Sequence, residues 1–317
     1  MRSPRTGVVG ATGAVGTVTL ALLAERGFDD VRAFASSRSA GTTVPYGEDG
    51  LVVEEATPDA LSAGDLDLCF FSVGTETSRA LVPHAVAGGA VSIDKSDAYR
   101  LADGVPLVVA GVNDDALTRA DSPIVANPNC SAMQLSCALK PLHDAASLAR
   151  VRVATYQSMS GAGDAGIERL KALAPADADL AMDWDLEGEE FSEEAKLRAE
   201  TRKILDLPDL PLHATCVRVP VLVGHAQAVW VETEEPLSPD EARDVLSGAP
   251  TIELSDFPTP GQAAGKDKVF VGRIREDSAQ PKKGLALWVV CDNLRKGAAL
   301  NAVQIADLVL ARRALAA

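Results

Sequence analysis

TGVVGATGAVG, residues 6–16, is the stretch of this 317-residue chain on which the fold turns. A short apolar run, Thr6 to Val9, meets glycines at 10, 13 and 16 and then a helical pattern from about Ala14 to Arg26. A strand that runs into a glycine-punctuated helix start meets three physical demands together. It makes a tight turn, lets a bound group approach the backbone closely, and aims amide N–H groups at an anion. The spacing alone is a permissive turn, but a second strand pattern at Val31 to Ala35 completes a βαβ unit and makes phosphate binding the better reading. Gly10, Gly13 and Gly16, with Thr12, Ala14 and Val15 between them, are the expected cradle.

The same stretch imitates an export signal, because Thr6 to Ala24 is uncharged behind a basic MRSPR start. Eight of those nineteen residues are Gly or Thr, too polar for a signal core, and the βαβ reading accounts for the glycines. No other segment reaches the roughly eighteen apolar residues of a span, so a soluble, cytoplasmic protein is expected. Outward from the motif, Leu66 to Ser72 reads as a buried strand, Thr75 to Ala87 as a helix with a Thr cap, and Val91 to Asp94 as a strand. Continuous apolar strands alternating with helices predict a doubly wound parallel α/β sheet.

After Pro128 the pattern changes. Ser131 to Ala146 reads as a helix, Val151 to Ser158 as a longer alternating strand, with further strands at Ala214 to Val219, Ala228 to Glu232, Val269 to Ile274 and Leu285 to Cys291. Alternation predicts a second, mixed sheet with one solvated face. Ala298 to Ala314 closes the chain as a helix, and the acidic stretch Asp177 to Glu194 reads as a solvated loop. The predicted domains are 1–128 with 298–317, and 129–297.

A net charge of -15 would repel a nucleic-acid backbone, so nucleic acid and membrane surface are unlikely partners and a small molecule is the expected one. Five scattered cysteines without a CxxC pair or ligand-spaced histidines indicate a reducing compartment and no metal. Cys69, Cys216 and Cys291 fall within strands and read as core. Cys130, in ANPNCS, stands in a turn at a helix start, where the dipole favours thiolate. At the end of the second strand, where an NAD site carries an acidic residue, the chain has Ser36, Ser37 and Arg38, which suits the 2′-phosphate of NADP. Arg218 and His225, seven apart, would face oppositely on a regular strand, so a bulge or turn is expected at Gly224. Glu193 and Lys196 share a helix face.

Together GATGAVG, ASSRSAG, ANPNCS, YQSMSGAG, CVRVPVLVGH and DNLRKGAALNAVQIA resemble the aspartate-semialdehyde dehydrogenase family of bacterial type, from the first strand to the last helix. The resemblance implies a Rossmann-type NADP domain completed by the C-terminal helix and an α+β catalytic and dimerisation domain, assembled as a homodimer or homotetramer. It implies NADPH-dependent reductive dephosphorylation of β-aspartyl phosphate to aspartate semialdehyde, toward lysine, threonine and methionine. Carried over, Cys130 is the nucleophile, Gln157 orients the thioester, and His225 is the general acid/base. Arg218 binds the substrate carboxylate and Glu193 its amino group, while Lys196, Arg100 and Asn129 hold phosphate. Ser72, Gly74, Ser160, Gly161, Asn293 and Gln304 join the cofactor residues.

Two local departures stand out. The usual DNSSA reads Asp94-Lys95-Ser96-Asp97-Ala98, and a glycine-rich SAGG reads Ser72-Val73-Gly74-Thr75. The segment between Lys171 and Glu193 is also short and lacks a strand that often serves the dimer. Competing readings are a paralogue for another acyl phosphate, such as the N-acetylglutamyl compound, and a silent NADP-binding sensor. Glu193, suited to an ammonium group, argues against the first, and retention of Cys130, Gln157, Arg218 and His225 against the second.

Overall fold

The computed structural model describes residues 3–172, 179 and 181–316, and divides into two compact units, 1–128 with 298–317, and 129–297. The first is a seven-stranded sheet. Its elements are β1 (Thr6–Val9), α1 (Ala14–Glu25), β2 (Val31–Ala35), β3 (Thr43–Tyr46), β4 (Asp49–Glu55), α2 (Pro58–Ser62), β5 (Leu68–Phe71), α3 (Thr75–Ala87), β6 (Val91–Asp94), α4 (Ala116–Arg119) and β7 (Ile124–Ala126). Strand order is β3-β4-β2-β1-β5-β6-β7, parallel throughout except for the β3–β4 hairpin. Every residue of β1, β5 and β6 is buried, as a sheet covered on both faces requires. The C-terminal helix, Leu300–Ala316, lays Leu300, Val303, Ile305 and Ala306 into the core formed by Val8, Leu20, Ala33 and Phe70.

Three expectations need correction here. The β3–β4 hairpin was not foreseen, because Pro45, Gly47 and Gly50 punctuate it like a loop. β3 lies at the sheet edge, where a proline costs no ladder hydrogen bond. Thr75 does not cap α3: the N-cap is Gly74, with no side-chain cap, so the first amides of that helix stay unblocked. The last helix proper begins at Leu300, behind a π turn at Arg295–Ala299.

The second unit holds α5 (Cys130–Ala146), β8 (Leu148–Gln157), α6 (Gly163–Ala172), β9 (Leu186–Glu187), β10 (Glu190–Phe191), α7 (Ser192–Leu205), β11 (Leu212–Arg218), β12 (His225–Thr233), α8 (Pro239–Ser247), β13 (Ile252–Leu254), α9 (Pro260–Ala263), β14 (Val269–Glu276) and β15 (Gly284–Cys291). Its mixed six-stranded sheet runs β11-β8-β12-β15-β14-β13. β8 alternates in burial, with Val151, Val153 and Thr155 inward and Arg152 and Tyr156 outward. α5 covers the inner face, contacting β8, β12, β14 and β15. The acidic stretch is a solvated loop only in part. Asp177, Ala178 and Leu180 lie outside the described residues, Leu186 to Phe191 form a small hairpin, and Glu193 and Glu194 are buried in α7.

Candidate active site

In the second unit a polar cluster grows from three chain ends that the sheet brings together. α5 starts at Cys130, and its N-cap Asn129 accepts the N–H groups of Ser131 (2.8 Å) and Ala132 (3.3 Å) through Oδ1. The capping amide thus fixes the turn that presents Cys130, the one cysteine not buried. Burial pushes the thiol of Cys69 well up, that of Cys216 up to about 12, and that of Cys291 well above its ordinary value. These three are inert core residues, as the strand pattern predicted.

α7 lies against this turn with two buried carboxylates. Glu193 Oε1 accepts from Asn129 Nδ2 (3.0 Å) and from Gln157 Nε2 (2.9 Å) at the end of β8. Glu200, one per cent exposed, accepts the Asn129 N–H at 2.6 Å. Thr155 Oγ1 donates to Gln157 Oε1 and orients that amide from its other end. Asn129 is therefore committed to capping and faces two carboxylates, an arrangement that suits positioning Cys130 better than holding phosphate. Lys196 stands one turn beyond Glu193 on α7, half-buried.

Arg218 and His225 are not on one re-aimed strand. β11 ends at Arg218, β12 begins at His225, and the two strands flank β8 on opposite sides. The link turns at Gly224, whose φ of +100° and close approach to Pro260 exclude a side chain. Arg218 Nε donates to Asp183 Oδ1 (3.0 Å), Nη1 donates to the Ser158 carbonyl (3.2 Å), and the guanidinium lies 4.6 Å over the Trp184 ring. His225 is fully buried. Its Nδ1 accepts the Ser158 N–H at 3.0 Å, and its Nε2 has no hydrogen-bond partner among the described residues. A Cβ on Gly161 would meet both His225 Nε2 and Arg218 Nη1 at 3.1 Å, so a larger residue there would crowd this pair. Ser160 and Asn293 bond to each other, Nδ2 to Oγ at 3.0 Å, within the same cluster.

Desolvation, aided by the Arg218 charge, lowers the His225 pKa to about 3. The unfolded chain takes that proton near pH 6.5, so it binds more protons than the folded chain below this pH. Stability is full above pH 6.5 and falls as the pH drops toward 3. Between pH 6.5 and 5 the loss is expected to be about 2 kcal/mol, read by urea unfolding, and His225→Gln should flatten that slope. An unchanged slope in the variant would show that another group carries it.

In the first unit, Gly10 turns at φ +84°, and a Cβ there would meet the Ser72 carbonyl oxygen at 2.4 Å, while one on Gly16 would meet the Gly10 oxygen at 2.0 Å. α1 and α3 both start without side-chain caps, at Gly13 and Gly74, following the adjacent strands β1 and β5. Two open helix N-termini where the strand order reverses fit a dinucleotide pyrophosphate. Ser36, Ser37 and Arg38 follow β2 and are exposed; Gln304 is half-buried on the C-terminal helix. Arg100 is buried, donating to Asn127 O (3.1 Å), Lys95 O and Asp97 Oδ1 (2.8 Å), so the Asp97 departure pairs directly with it.

The semialdehyde dehydrogenase NAD binding domain matches residues 5–120, and the semialdehyde dehydrogenase dimerisation domain matches residues 139–185 and 180–296. The protein is thus an oxidoreductase of the semialdehyde dehydrogenase class with a nicotinamide-cofactor domain. Aspartate-semialdehyde dehydrogenase of Streptomyces akiyoshiensis is 46% identical across 97% of this chain and 98% of its own, and that of Corynebacterium glutamicum 42% across 96% and 98%. Crystal structures of aspartate semialdehyde dehydrogenase II from Vibrio cholerae, one complexed with ASA, superpose with TM-score 0.92 at 39% identity, covering 98% of this chain and 99% of theirs. The chain belongs to the aspartate-semialdehyde dehydrogenase family. No helix among the described residues is long and apolar enough to cross a membrane.

Proposed function

We propose that the chain catalyses the reversible, NADPH-dependent reductive dephosphorylation of L-aspartyl 4-phosphate to L-aspartate 4-semialdehyde through a thioester on Cys130. One observation carries this reading: an Asn-capped helix presents Cys130 in the unit where a buried imidazole keeps Nε2 unpartnered beside Arg218. The Cys130 thiolate adds to the acyl carbon and expels phosphate, splitting one difficult transfer into two easier ones. Gln157, anchored by Glu193 and Thr155, orients the acyl group. Arg218 holds the α-carboxylate and Glu193 the ammonium; this carboxylate suits a free amine and not an acetamide, which disfavours the N-acetylglutamyl paralogue. Lys196 and Arg100 serve the phosphate. When bound, the nicotinamide supplies a hydride to the acyl carbon. Mixing protein, NADP, phosphate and aspartate semialdehyde and following NADPH absorbance tests the reading; no absorbance change sinks it and favours the silent sensor.

The cofactor would be held by the Gly10-to-Gly16 turn, Ser72 and Gly74, with Ser160, Gly161, Asn293 and Gln304 contributing from elsewhere in the chain. Choice of NADP rests on Ser36, Ser37 and Arg38. Two charge-assisted contacts to the 2′-phosphate, at roughly 1.5 to 3 kcal/mol each before solvent screening, imply a preference of about a hundredfold over NAD. Arg38→Ala is expected to raise KM for NADP at least about tenfold and leave NAD almost unchanged. Equal losses would place Arg38 elsewhere on the cofactor, and a wild-type enzyme using both cofactors equally would remove the assignment. The outward face of the second sheet, with Tyr156 and Trp230, suits homodimer formation; sedimentation should give at least twice the 33.0 kDa chain mass.

A further inference from the structure

Arg218 is only four per cent exposed, and two residues of the segment between 181 and 185 reach over it. That segment is pinned at both ends. The Ala181 N–H donates to the Arg218 carbonyl (2.9 Å) and the Arg218 N–H to the Ala181 carbonyl (2.8 Å), while the Asp185 carbonyl accepts the N–H of Ser192, the first residue of α7 (2.8 Å). Between the pins, Asp183 sets Oδ1 on Arg218 Nε (3.0 Å), with its Oδ2 3.7 Å from the exposed Arg169. Trp184, half-buried, lays its ring 4.6 Å from the guanidinium carbon. A guanidinium offers a planar anion two forks, Nε with Nη2 or Nη1 with Nη2. Asp183 takes the first. Nη1 gives one of its two N–H groups to the Ser158 carbonyl (3.2 Å) and Nη2 makes no hydrogen bond among the described residues, so the Nη edge is the one left for a ligand.

Both neighbours act on what can dock there. A carboxylate keeps its two oxygens and their carbon in the guanidinium plane, clear of the stacked ring. A tetrahedral oxyanion on the same edge sends one substituent out of the plane on each side, and on one side that group meets the indole face, where the π cloud is negative. Asp183 adds a filter of charge, because its carboxylate repels a dianion more than a monoanion at the same distance. We propose that Trp184 and Asp183 are specificity-determining residues that reserve Arg218 for a planar, singly charged carboxylate and keep out phosphate, the other anion of the reaction. This rests on the function proposed above and deepens it. The acyl phosphate is anionic at both ends, and inorganic phosphate is released beside it, so an arginine open on every edge and face would accept either group. Discrimination here comes from the elements set against the wrong anion as much as from the fork that holds the right one.

The test is a ligand-observed NMR titration of the full chain with L-aspartate and with its analogue carrying a phosphonate in place of the α-carboxylate. The wild type is expected to bind aspartate at least about tenfold more tightly than the phosphonate. Trp184→Ala should bring the two within about twofold by admitting the phosphonate, and Trp184→Phe, which keeps an aromatic face, should retain the preference. Asp183→Asn should narrow the preference more above the second pKa of the phosphonate than below it. A wild type that binds both ligands alike or neither, or an alanine variant that keeps the preference or loses both ligands equally, overturns the inference. An Asp183→Asn chain with the wild-type ratio on both sides of that pKa overturns the charge filter. Kinetics give a second reading: excess phosphate should inhibit the alanine variant competitively against aspartate semialdehyde and leave the wild type uninhibited, and the same inhibition in both would count against Trp184. A wild type without dehydrogenase activity would sink the proposed function alone, since binding is read without turnover.

Discussion

Cys130→Ala removes turnover by four orders of magnitude or more, about 5.4 kcal/mol of transition-state stabilisation, and leaves the NADP dissociation constant within about twofold. The first part follows from the chemistry, because without a thiolate the acyl group has nothing to be transferred to. The second follows from the architecture: the glycine turn and the uncapped starts of α1 and α3 belong to a different unit from Cys130. Folding should hardly suffer, since Asn129 caps α5 through the backbone amides of Ser131 and Ala132, which the substitution leaves in place, and Cys130 is not fully buried. Mass spectrometry after mixing with acyl phosphate should show a covalent adduct on the wild type and none on the variant. Residual activity above about one per cent, or an adduct on the alanine variant, would take the nucleophile's role from Cys130.

What could be read from residues alone was what depends on near neighbours in the chain. The Gly10 turn, the first βαβ unit and the helix beginning at Cys130 are local patterns, and the strand cysteines show themselves by their apolar flanks. The β3–β4 hairpin was hidden by its turn-like residues, whose strand character comes from pairing with each other and with β2. The site hid its supports for a different reason. Ser158 acts on His225 through a backbone N–H, which every residue but proline carries, so no side-chain pattern marks it. Glu200 looks like one charge on a polar helix until α7 packs against α5 and buries it on the Asn129 amide. Its seven-residue spacing from Glu193, two helical turns, was the available signal. Arg218, His225 and the turn at Gly224 between them were legible, but the placing of their two strands on opposite sides of β8 was not, because parallel and antiparallel pairing to one shared strand cannot be told from spacing.

Arg218→Lys is expected to cost on the order of 3 kcal/mol, about a hundredfold in kcat/KM for aspartate semialdehyde, although the charge is conserved. The guanidinium is used on several edges at once. Nε is held by Asp183, Nη1 by the Ser158 carbonyl, and its face by Trp184, leaving the remaining N–H groups in a fixed fork for a carboxylate. An ammonium can meet Asp183 or the ligand but cannot present a planar pair of donors while stacked on an indole. The loss should also be selective. An aldehyde of the same length without the α-carboxylate, already a poor substrate for the wild type, should be turned over equally by wild type and variant, since it never used the fork. Comparing kcat/KM for the two aldehydes therefore separates recognition from support. If both fall together, Arg218 serves mainly to hold the Ser158 turn and the field around His225, and the carboxylate is bound elsewhere.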